Sequence, residues 1–228
     1  MERQQPFWQI IVKTIPVMMG YIVLGIAFGL VMNQFGFNLL WAVFMSVFIY
    51  AGSLQFVLAG LLAQGSPLMT IAITTLAVNS RHIFYGLSFI ETFKRMGHRR
   101  PYLMFSLTDE TYALFCSLPP DQKDPYTMGT IAVMNQLYWI TGTLIGSVLG
   151  EVIPFELQGV DFAMTALFTV IVVDQLRFSS NKSPAVIGAM SSVIFLLLLG
   201  PDKFLLPALS VSVVALSLIP SRFLNRST

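Results

Sequence analysis

Charged residues are absent from a long early part of the chain. Between Lys13 and Arg81 there are 67 consecutive residues without Asp, Glu, Lys or Arg, and most of them are apolar. A helix of a soluble domain needs a polar face toward water, which this stretch cannot supply. A bilayer accepts such a stretch, because ~20 apolar residues are enough for one helical crossing. The pattern therefore predicts a polytopic membrane protein in which Arg81 interrupts the apolar run at depth.

Gly, Pro, Asn and charged residues divide this pattern into helical segments. We predict an all-α integral membrane bundle of about seven crossings, at residues 16–35, 39–62, 67–89, 128–149, 162–176, 184–199 and 204–218. A further short polar helix, residues 102–118, carries Asp109 and Glu110 at its centre. Two ionised acids facing lipid would cost about 5–7 kcal/mol, so they must face protein, water or a partner. An interfacial amphipathic helix and a half-buried helix lining a cavity both stay open.

Weak internal similarity indicates that residues 1–228 form a single transmembrane domain with two halves, at about 14–100 and 126–220. Three features recur at a displacement of 117 positions: Gly25-x-x-x-Gly29 with Gly142-x-x-x-Gly146, Ser66-Pro67 with Ser183-Pro184, and Tyr21 with Tyr138. Internal repeats of this kind are common in secondary transporters. The alternative is that the glycine pairs are ordinary helix-packing devices.

Basic residues in short loops predict the orientation. Three basic groups are expected in the cytoplasm, namely Lys94, Arg95, Arg99 and Arg100, then Arg177 with Lys182, then Arg222 with Arg226. The acidic loop is expected outside, with Glu151, Glu156 and Asp161. This holds if residues 102–118 do not cross, and the second half then becomes an inverted copy of the first. It also places the N-terminus outside, despite Arg3 and Lys13.

Composition excludes several classes of protein and site. Of the 228 residues 55% are hydrophobic and 11% are charged, against ~25% charged in soluble domains. The single cysteine, Cys116, rules out an internal disulfide, and no Cys/His cluster has metal-ligand spacing. We therefore expect no metal and no cofactor. The sequence has no stripe of basic residues interleaved with aromatic ones, so nucleic acid is not expected as a partner.

The first candidate binding element is Ala51-Gly52-Ser53-Leu54-Gln55. Gly52 lowers helix propensity within a predicted crossing, while Ser53 and Gln55 supply polar groups. A helix interrupted here would expose backbone N–H groups and the positive end of the following half-helix. That arrangement suits a carboxylate. A Gly-Ser kink that only lets helices pack closely is the alternative.

The second candidate is Asn79-Ser80-Arg81-His82 with Tyr85. Arg81 lies 14 residues after Pro67, or ~21 Å along a helix, and Tyr85 shares its face. The guanidinium could bind a substrate carboxylate, pair with Asp109 or Glu110, or extend to the basic loop. His82 titrates near neutral pH and is a candidate for proton coupling, although a lone histidine is more often structural.

Two further groups of polar residues are better explained by a role in folding than by a role in substrate binding. Asp174 and Arg177 are three apart, which favours a self-neutralising pair at a helix end. Asn135 and Gln136 lie within a predicted crossing and are expected to join helices through hydrogen bonds.

At these motifs the sequence resembles the AzlC/YgaZ family, large subunits of bacterial branched-chain amino acid exporters. Three elements carry the resemblance: Ala51-Gly52-Ser53-Leu54-Gln55-Phe56, Asn79-Ser80-Arg81-His82-Ile83-Phe84-Tyr85 and Leu107-Thr108-Asp109-Glu110-Thr111. Leu54 stands where the family usually has a small residue. The resemblance implies a multi-pass protein of the bacterial cytoplasmic membrane that exports valine, leucine, isoleucine and often methionine by proton antiport. It also implies a second, much smaller hydrophobic subunit of the AzlD type.

A zwitterionic amino acid needs one anionic and one cationic partner and an apolar pocket. Arg81 or the Gly52-Ser53 break could hold its carboxylate, and Asp109 or Glu110 its ammonium. A carboxylate that alternates between ammonium and proton would couple efflux to proton entry. A pore, or a carrier for another small amino acid or organic ion, is the rival interpretation. An enzyme is not expected, because Ser53 lacks the Gly-x-Ser-x-Gly pattern of a serine hydrolase.

Overall fold

The computed structural model describes residues 6–152, 182–200 and 204–218, with residues 169, 172, 173 and 176. All regular elements among these residues are helical, which confirms the all-α class for this part of the chain. The helices are α1 (Phe7–Gln34), α2 (Leu39–Phe48), α3 (Gly52–Ala63), α4 (Leu68–Asn79), α5 (Arg81–Ser88), α6 (Ile90–Lys94), α7 (Arg100–Phe105), α8 (Asp109–Ser117), α9 (Pro125–Val152), α10 (Ser183–Leu199) and α11 (Leu205–Leu218), with 3₁₀ turns at Gly97–Arg99 and Pro120–Gln122.

Contacts group the chain into two compact units. One comprises Met1–Ser66 with Val78–Asp161, and the other Pro67–Ala77 with Phe162–Thr228. The boundaries differ from those of the predicted halves, so the single domain and its repeat stay predictions. Most of the predicted crossing at 162–176 lies outside the described residues, as do Glu156, Asp161, Asp174, Arg177, Arg222 and Arg226.

In the first unit, α1 and α9 are the two long helices, with 28 residues each. Among the described helices, α1 alone is both long and apolar enough to cross a membrane by itself. That the other segments enter or cross the membrane stays a prediction from the sequence.

The glycine motifs of α1 and α9 face each other. A Cβ atom on Gly25 would lie 2.8 Å from the Trp139 carbonyl oxygen, and one on Gly142 would lie 2.6 Å from the Ile22 carbonyl oxygen. The second glycine of each motif comes closer still to the facing backbone. Only glycine permits this approach, so the helix-packing interpretation of the two motifs is confirmed.

These contacts also show the direction of the helices. Each contact has a counterpart in which both residues are replaced by those 117 positions away in the other helix. Gly25 contacts Trp139 as Gly142 contacts Ile22, and Gly29 contacts Thr143 as Gly146 contacts Ile26. Near the other end of the pair, a Cβ on Gly150 would lie 2.9 Å from Cβ of Asn33, again 117 positions away. Partner numbers therefore rise together along both helices, which run parallel and in register.

This parallel arrangement corrects the predicted topology. Helices related by an inverted repeat would run antiparallel, so the inverted relation is wrong for this pair. Both helices begin at one end of the unit, where Lys13 Nζ donates to Gln122 Oε1 and Arg99 Nη1 donates to the Pro125 carbonyl, each at 2.7 Å. We call this the basic end. The start of α1 and the basic loop thus lie at the same end of the unit, whereas the sequence analysis placed them on opposite sides of the membrane.

Helices α2 and α3 form a hairpin in place of the predicted crossing at 39–62. They measure ~15 and ~18 Å, and a crossing needs ~30 Å. Gln55 Nε2 donates to Ser46 Oγ at 3.2 Å, although nine residues of straight helix would separate them by ~13.5 Å. Phe56 packs on Phe28 of α1, with ring centroids 5.4 Å apart. Helix α3 therefore turns back along α1 toward the end where α2 begins, and residues 49–51 form the tip.

A second hairpin, α7 with α8, enters from the basic end. Helix α7 follows Arg99 at that end and reaches Phe105, whose ring lies 6.2 Å from that of Tyr50 at the tip of the first hairpin. Helix α8 then returns, and Phe115 joins the buried cluster that contains Ile10 and Met128. The predicted polar helix at 102–118 is thus two short helices broken at residues 106–108.

Because each hairpin reverses at its tip, α3 and α8 both begin near the middle of the unit. Helix α5 starts close by and leads toward the basic end, where Phe89 and Phe93 belong to the same buried cluster. Ser80, between α4 and α5, keeps helical backbone angles. The predicted crossing at 67–89 is divided at this residue into α4 and α5.

In the second unit, α10 and α11 pack as neighbours. The Ser191 hydroxyl contacts the Ser212 hydroxyl and donates to the Ala208 carbonyl at 3.3 Å. Gly200, with φ +75°, ends α10. These two helices match the predicted segments at 184–199 and 204–218.

Candidate functional site

The first turn of α3 presents backbone donors at the tip of its hairpin. The helix begins at Gly52, and its N-cap residue, Ala51, makes no side-chain capping bond. The first N–H groups of a helix lack intrahelical partners and carry the positive end of its dipole. A Cβ on Gly52 would lie 3.3 Å from the Trp139 ring, so the packed indole leaves little room for a larger residue at position 52. The helix is thus interrupted at residues 49–51, and the predicted Gly52 and Ser53 are the first two residues of the helix that follows.

Tyr50 holds the tip in an uncommon conformation. Its φ is +43°, the only positive φ of a non-glycine residue in the described part of the chain. The side chain is 2% exposed, and its hydroxyl has no hydrogen-bond partner among the described residues. Strained backbone of this kind concentrates at functional sites, and an unpaired buried hydroxyl costs about 1–3 kcal/mol.

Arg81, at the start of α5, connects the two hairpins. Its Nη2 atom donates to Ser53 Oγ at 2.7 Å and forms an ion pair with Asp109 Oδ2 at 2.9 Å. The same nitrogen serves both partners, whereas Nε is buried and finds no partner among the described residues. Tyr85, one turn later, donates its hydroxyl to Asp109 Oδ1 at 2.7 Å. Ser53, Arg81, Tyr85 and Asp109, the Arg81 cluster, thus combine a cation, an anion and an unused guanidinium donor.

The first turn of α8 carries both acids of the motif. Thr108 caps this helix, because its side chain accepts from the Thr111 backbone N–H at 3.3 Å. Asp109 and Glu110 follow in the first turn, where the helix dipole favours negative charge. They point to different partners: Asp109 belongs to the Arg81 cluster, and Glu110 Oε2 accepts from the Tyr21 hydroxyl at 2.7 Å.

Three other predicted residues lie around this cluster. Gln55 is fully buried, and its amide joins the Ala51 backbone N–H and Ser46 within the first hairpin, which gives it a positioning role. Asn79 Oδ1 is buried without a partner among the described residues. His82 contacts the Asn79 carbonyl through Nδ1 at 3.2 Å, and its ring lies 5.5 Å from that of Tyr85.

The sequence analysis missed the aromatic residues that join the hairpins to the long helices. Tyr21 reaches Glu110 and packs its ring on Trp139. Trp139 packs against Gly52, is 3% exposed, and its Nε1 is unpaired among the described residues. A tyrosine or tryptophan with a polar atom inside a predicted crossing is the signal that could have identified both.

The chain is similar in sequence to known membrane proteins. The family model described as AzlC protein matches residues 16–153. The chain is 36% identical over 198 residues to the branched-chain amino acid transport protein AzlC of Bacillus subtilis, covering 86% of this chain and 78% of that one. It is 40% identical over 207 residues to an uncharacterized membrane protein of Helicobacter pylori, covering 90% and 91%. Inner membrane protein YgaZ of Escherichia coli is 32% identical over 191 residues, covering 79% and 78%. No solved structure matches the chain.

The matched region contains both glycine motifs, both hairpins and the whole Arg81 cluster. The helical architecture, the apolar helix α1 and the membrane proteins among the relatives identify a helical membrane protein. Within that class, the chain belongs to the AzlC family.

Proposed function

We propose that this protein exports branched-chain amino acids, namely valine, leucine, isoleucine and also methionine, across the bacterial cytoplasmic membrane. The name of the Bacillus subtilis relative supports the substrate class. Export, proton antiport and a second, AzlD-type hydrophobic subunit rest on the resemblance at the three sequence motifs. Asp109, Glu110 and His82 are the candidate groups for proton coupling.

The Arg81 cluster supports this function because it offers opposite charges to the two ends of a zwitterion. Arg81 meets Ser53 and Asp109 through Nη2 alone, and its buried Nε atom is unpaired among the described residues. A substrate carboxylate can use this donor together with the first backbone N–H groups of α3. The substrate ammonium can bind Asp109, with the Tyr85 hydroxyl beside it. This unused guanidinium donor next to a carboxylate is the observation that carries the proposal.

The same proposal includes a revised membrane topology. We place the basic end in the cytoplasm, in accord with the positive-inside rule. The N-terminus is then cytoplasmic, α1 and α9 cross in the same direction, and residues 67–89 make the single crossing between them. The α2–α3 hairpin enters from outside and the α7–α8 hairpin from the cytoplasm. With residues 162–176, 184–199 and 204–218, six crossings remain, and Glu151 lies outside.

Efflux measurements test the substrate and the site. Cells without their own exporters are loaded with leucine-containing dipeptides and express the chain together with the small hydrophobic protein encoded beside it. We expect saturable leucine efflux, which Arg81→Gln and Asp109→Asn each reduce about 10- to 100-fold, as for the loss of a charged hydrogen bond. Lys94→Gln is the matched control, because it removes a cation from the exposed pair with Glu91.

The competing outcomes are separable. Efflux that survives both cluster substitutions at the level of the control refutes the site. Flux that does not saturate favours a pore over a carrier. Efflux of the 2-oxo acid of leucine at the rate of leucine refutes recognition of the ammonium, because that analogue keeps the carboxylate and the side chain but carries no positive charge.

A further inference from the structure

Asp109 and Glu110 are adjacent in sequence but differ in their surroundings. Asp109 is engaged on both oxygens, by Arg81 at 2.9 Å and by Tyr85 at 2.7 Å. Glu110 has no ion-pair partner in the part of the chain that the structure describes, and the Tyr21 hydroxyl at 2.7 Å is its side-chain hydrogen-bond donor. Protonating Asp109 breaks an ion pair, whereas protonating Glu110 breaks none.

Glu110 also ends a buried chain of polar side chains from three helices. The Tyr21 hydroxyl lies 2.6 Å from Thr108 Oγ1, which lies 3.0 Å from Thr111 Oγ1. Asn135 Nδ2 of α9 donates to Thr111 Oγ1 at 3.0 Å. All four residues are at most 6% exposed. Because hydroxyl groups both donate and accept, this chain can reorient when the carboxyl gains or loses a proton.

We propose that Glu110 carries the proton of the antiport, while Asp109 serves as the anion of the substrate site. This inference rests on the proposed function and divides two tasks that the sequence left open between the acids. The medium outside supplies the proton, the Glu110 carboxylate binds it as the neutral acid, and the cytoplasm receives it. No other bond forms or breaks.

The groups that face Glu110 indicate how substrate binding changes its protonation. Tyr21 faces it from α1, Tyr50 from the tip of the first hairpin, and Asp109 from its own turn with Arg81 as counter-ion. A bound zwitterion places its ammonium on Asp109, one residue from Glu110, and its carboxylate on the cationic Arg81 of α5, so the charge added beside Glu110 is positive and favours its ionised form. Substrate binding from the cytoplasm therefore expels the proton inward, and substrate release outside lets the carboxylate take up another. This is the order that antiport requires.

Proteoliposomes containing the chain and its small subunit test the assignment. Two readouts are compared, namely leucine counterflow without a pH gradient and proton movement reported by an internal pH-sensitive dye during leucine transport. We expect Glu110→Gln to retain counterflow and to lose both the proton signal and pH-driven accumulation. Asp109→Asn is expected to lose counterflow as well. Glu110→Asp, which restores a titratable group, is expected to recover the proton signal.

Each outcome of these measurements either supports or overturns the assignment of the transported proton to Glu110. A Glu110→Gln protein that still moves protons with leucine at the wild-type ratio overturns the assignment, and so does loss of counterflow equal to that of Asp109→Asn. If Glu110→Gln does not fold, Tyr21→Phe removes the hydroxyl donor, and an unchanged pH profile of transport would overturn the role of the chain. Wild-type protein without leucine counterflow refutes the proposed function itself, and this inference with it.

Discussion

Replacing Gly25 by alanine tests the contact between the two long helices. The new Cβ would lie 2.8 Å from the Trp139 carbonyl oxygen and 2.9 Å from the Thr143 backbone nitrogen, where ordinary contacts begin at 3.4 Å. Backbone atoms cannot rotate away, so α1 and α9 must separate by about 0.6 Å. Overpacking of this kind lowers the free energy of unfolding by about 1–3 kcal/mol. The higher helix propensity of alanine relative to glycine offsets about 0.5–1 kcal/mol of this loss. The two ranges together give a net loss of about 0–2.5 kcal/mol, and we expect a value near the middle of that range.

Gly20→Ala is the matched control, because it lies on the same helix with no atom within 4 Å of its added Cβ. It is expected to raise stability by about 0.5–1 kcal/mol through helix propensity alone. Thermal unfolding of the detergent-purified protein, followed by tryptophan fluorescence, compares the two. Gly142→Ala should reproduce the loss, and the double variant should lose less than the sum, because the first alanine already separates the helices. Equal stability of Gly25→Ala and Gly20→Ala would refute the close parallel packing.

Three further substitutions probe the hairpins, each measured by the same unfolding assay together with efflux. Tyr50→Phe removes a buried unpaired hydroxyl and should raise stability by about 1 kcal/mol; a loss of stability would mean that the hydroxyl is paired. Thr108→Ala removes the cap of α8 and should cost about 1 kcal/mol, whereas Thr108→Ser should cost much less; equal losses would exclude capping. Gln55→Leu leaves the Ala51 backbone N–H unpaired and should cost about 1–3 kcal/mol, and the same stability as wild type would contradict the positioning role.

Local features of the site were predictable from single residues and short spacings. Gly52 and Ser53 indicated an interrupted helix because glycine and a polar side chain both weaken a helix in an apolar segment. Arg81 and Tyr85, four residues apart, were expected on one face, and both contact Asp109. These are properties of one helix turn, which the sequence encodes directly.

Directions and partners over long distances were not predictable in this way. The hydrophobic pattern of residues 39–62 is the same whether the chain continues through the membrane or turns back at Tyr50. The recurring glycine motifs were compatible with close helix packing but carried no information on which helix each motif contacts or on parallel or antiparallel alignment. The choice between Asp109 and Glu110 as partner of Arg81 depends on a rotation of about 100° around α8, which only the folded chain defines.

The matched contacts of α1 and α9 have the form of a symmetric dimer joined within one polypeptide. In a true homodimer any substitution at this surface would occur twice, so both sides would have to change together. Within one chain the two sides can differ, and they do: Ile22 and Ile26 of α1 stand at the positions that correspond to Trp139 and Thr143 of α9. Thr143 binds Ser46 and Trp139 covers Gly52, so the divergent positions hold the α2–α3 hairpin while the shared glycines keep the helices together. In this helix pair, the residues that hold α1 and α9 together are therefore distinct from those that position the hairpin.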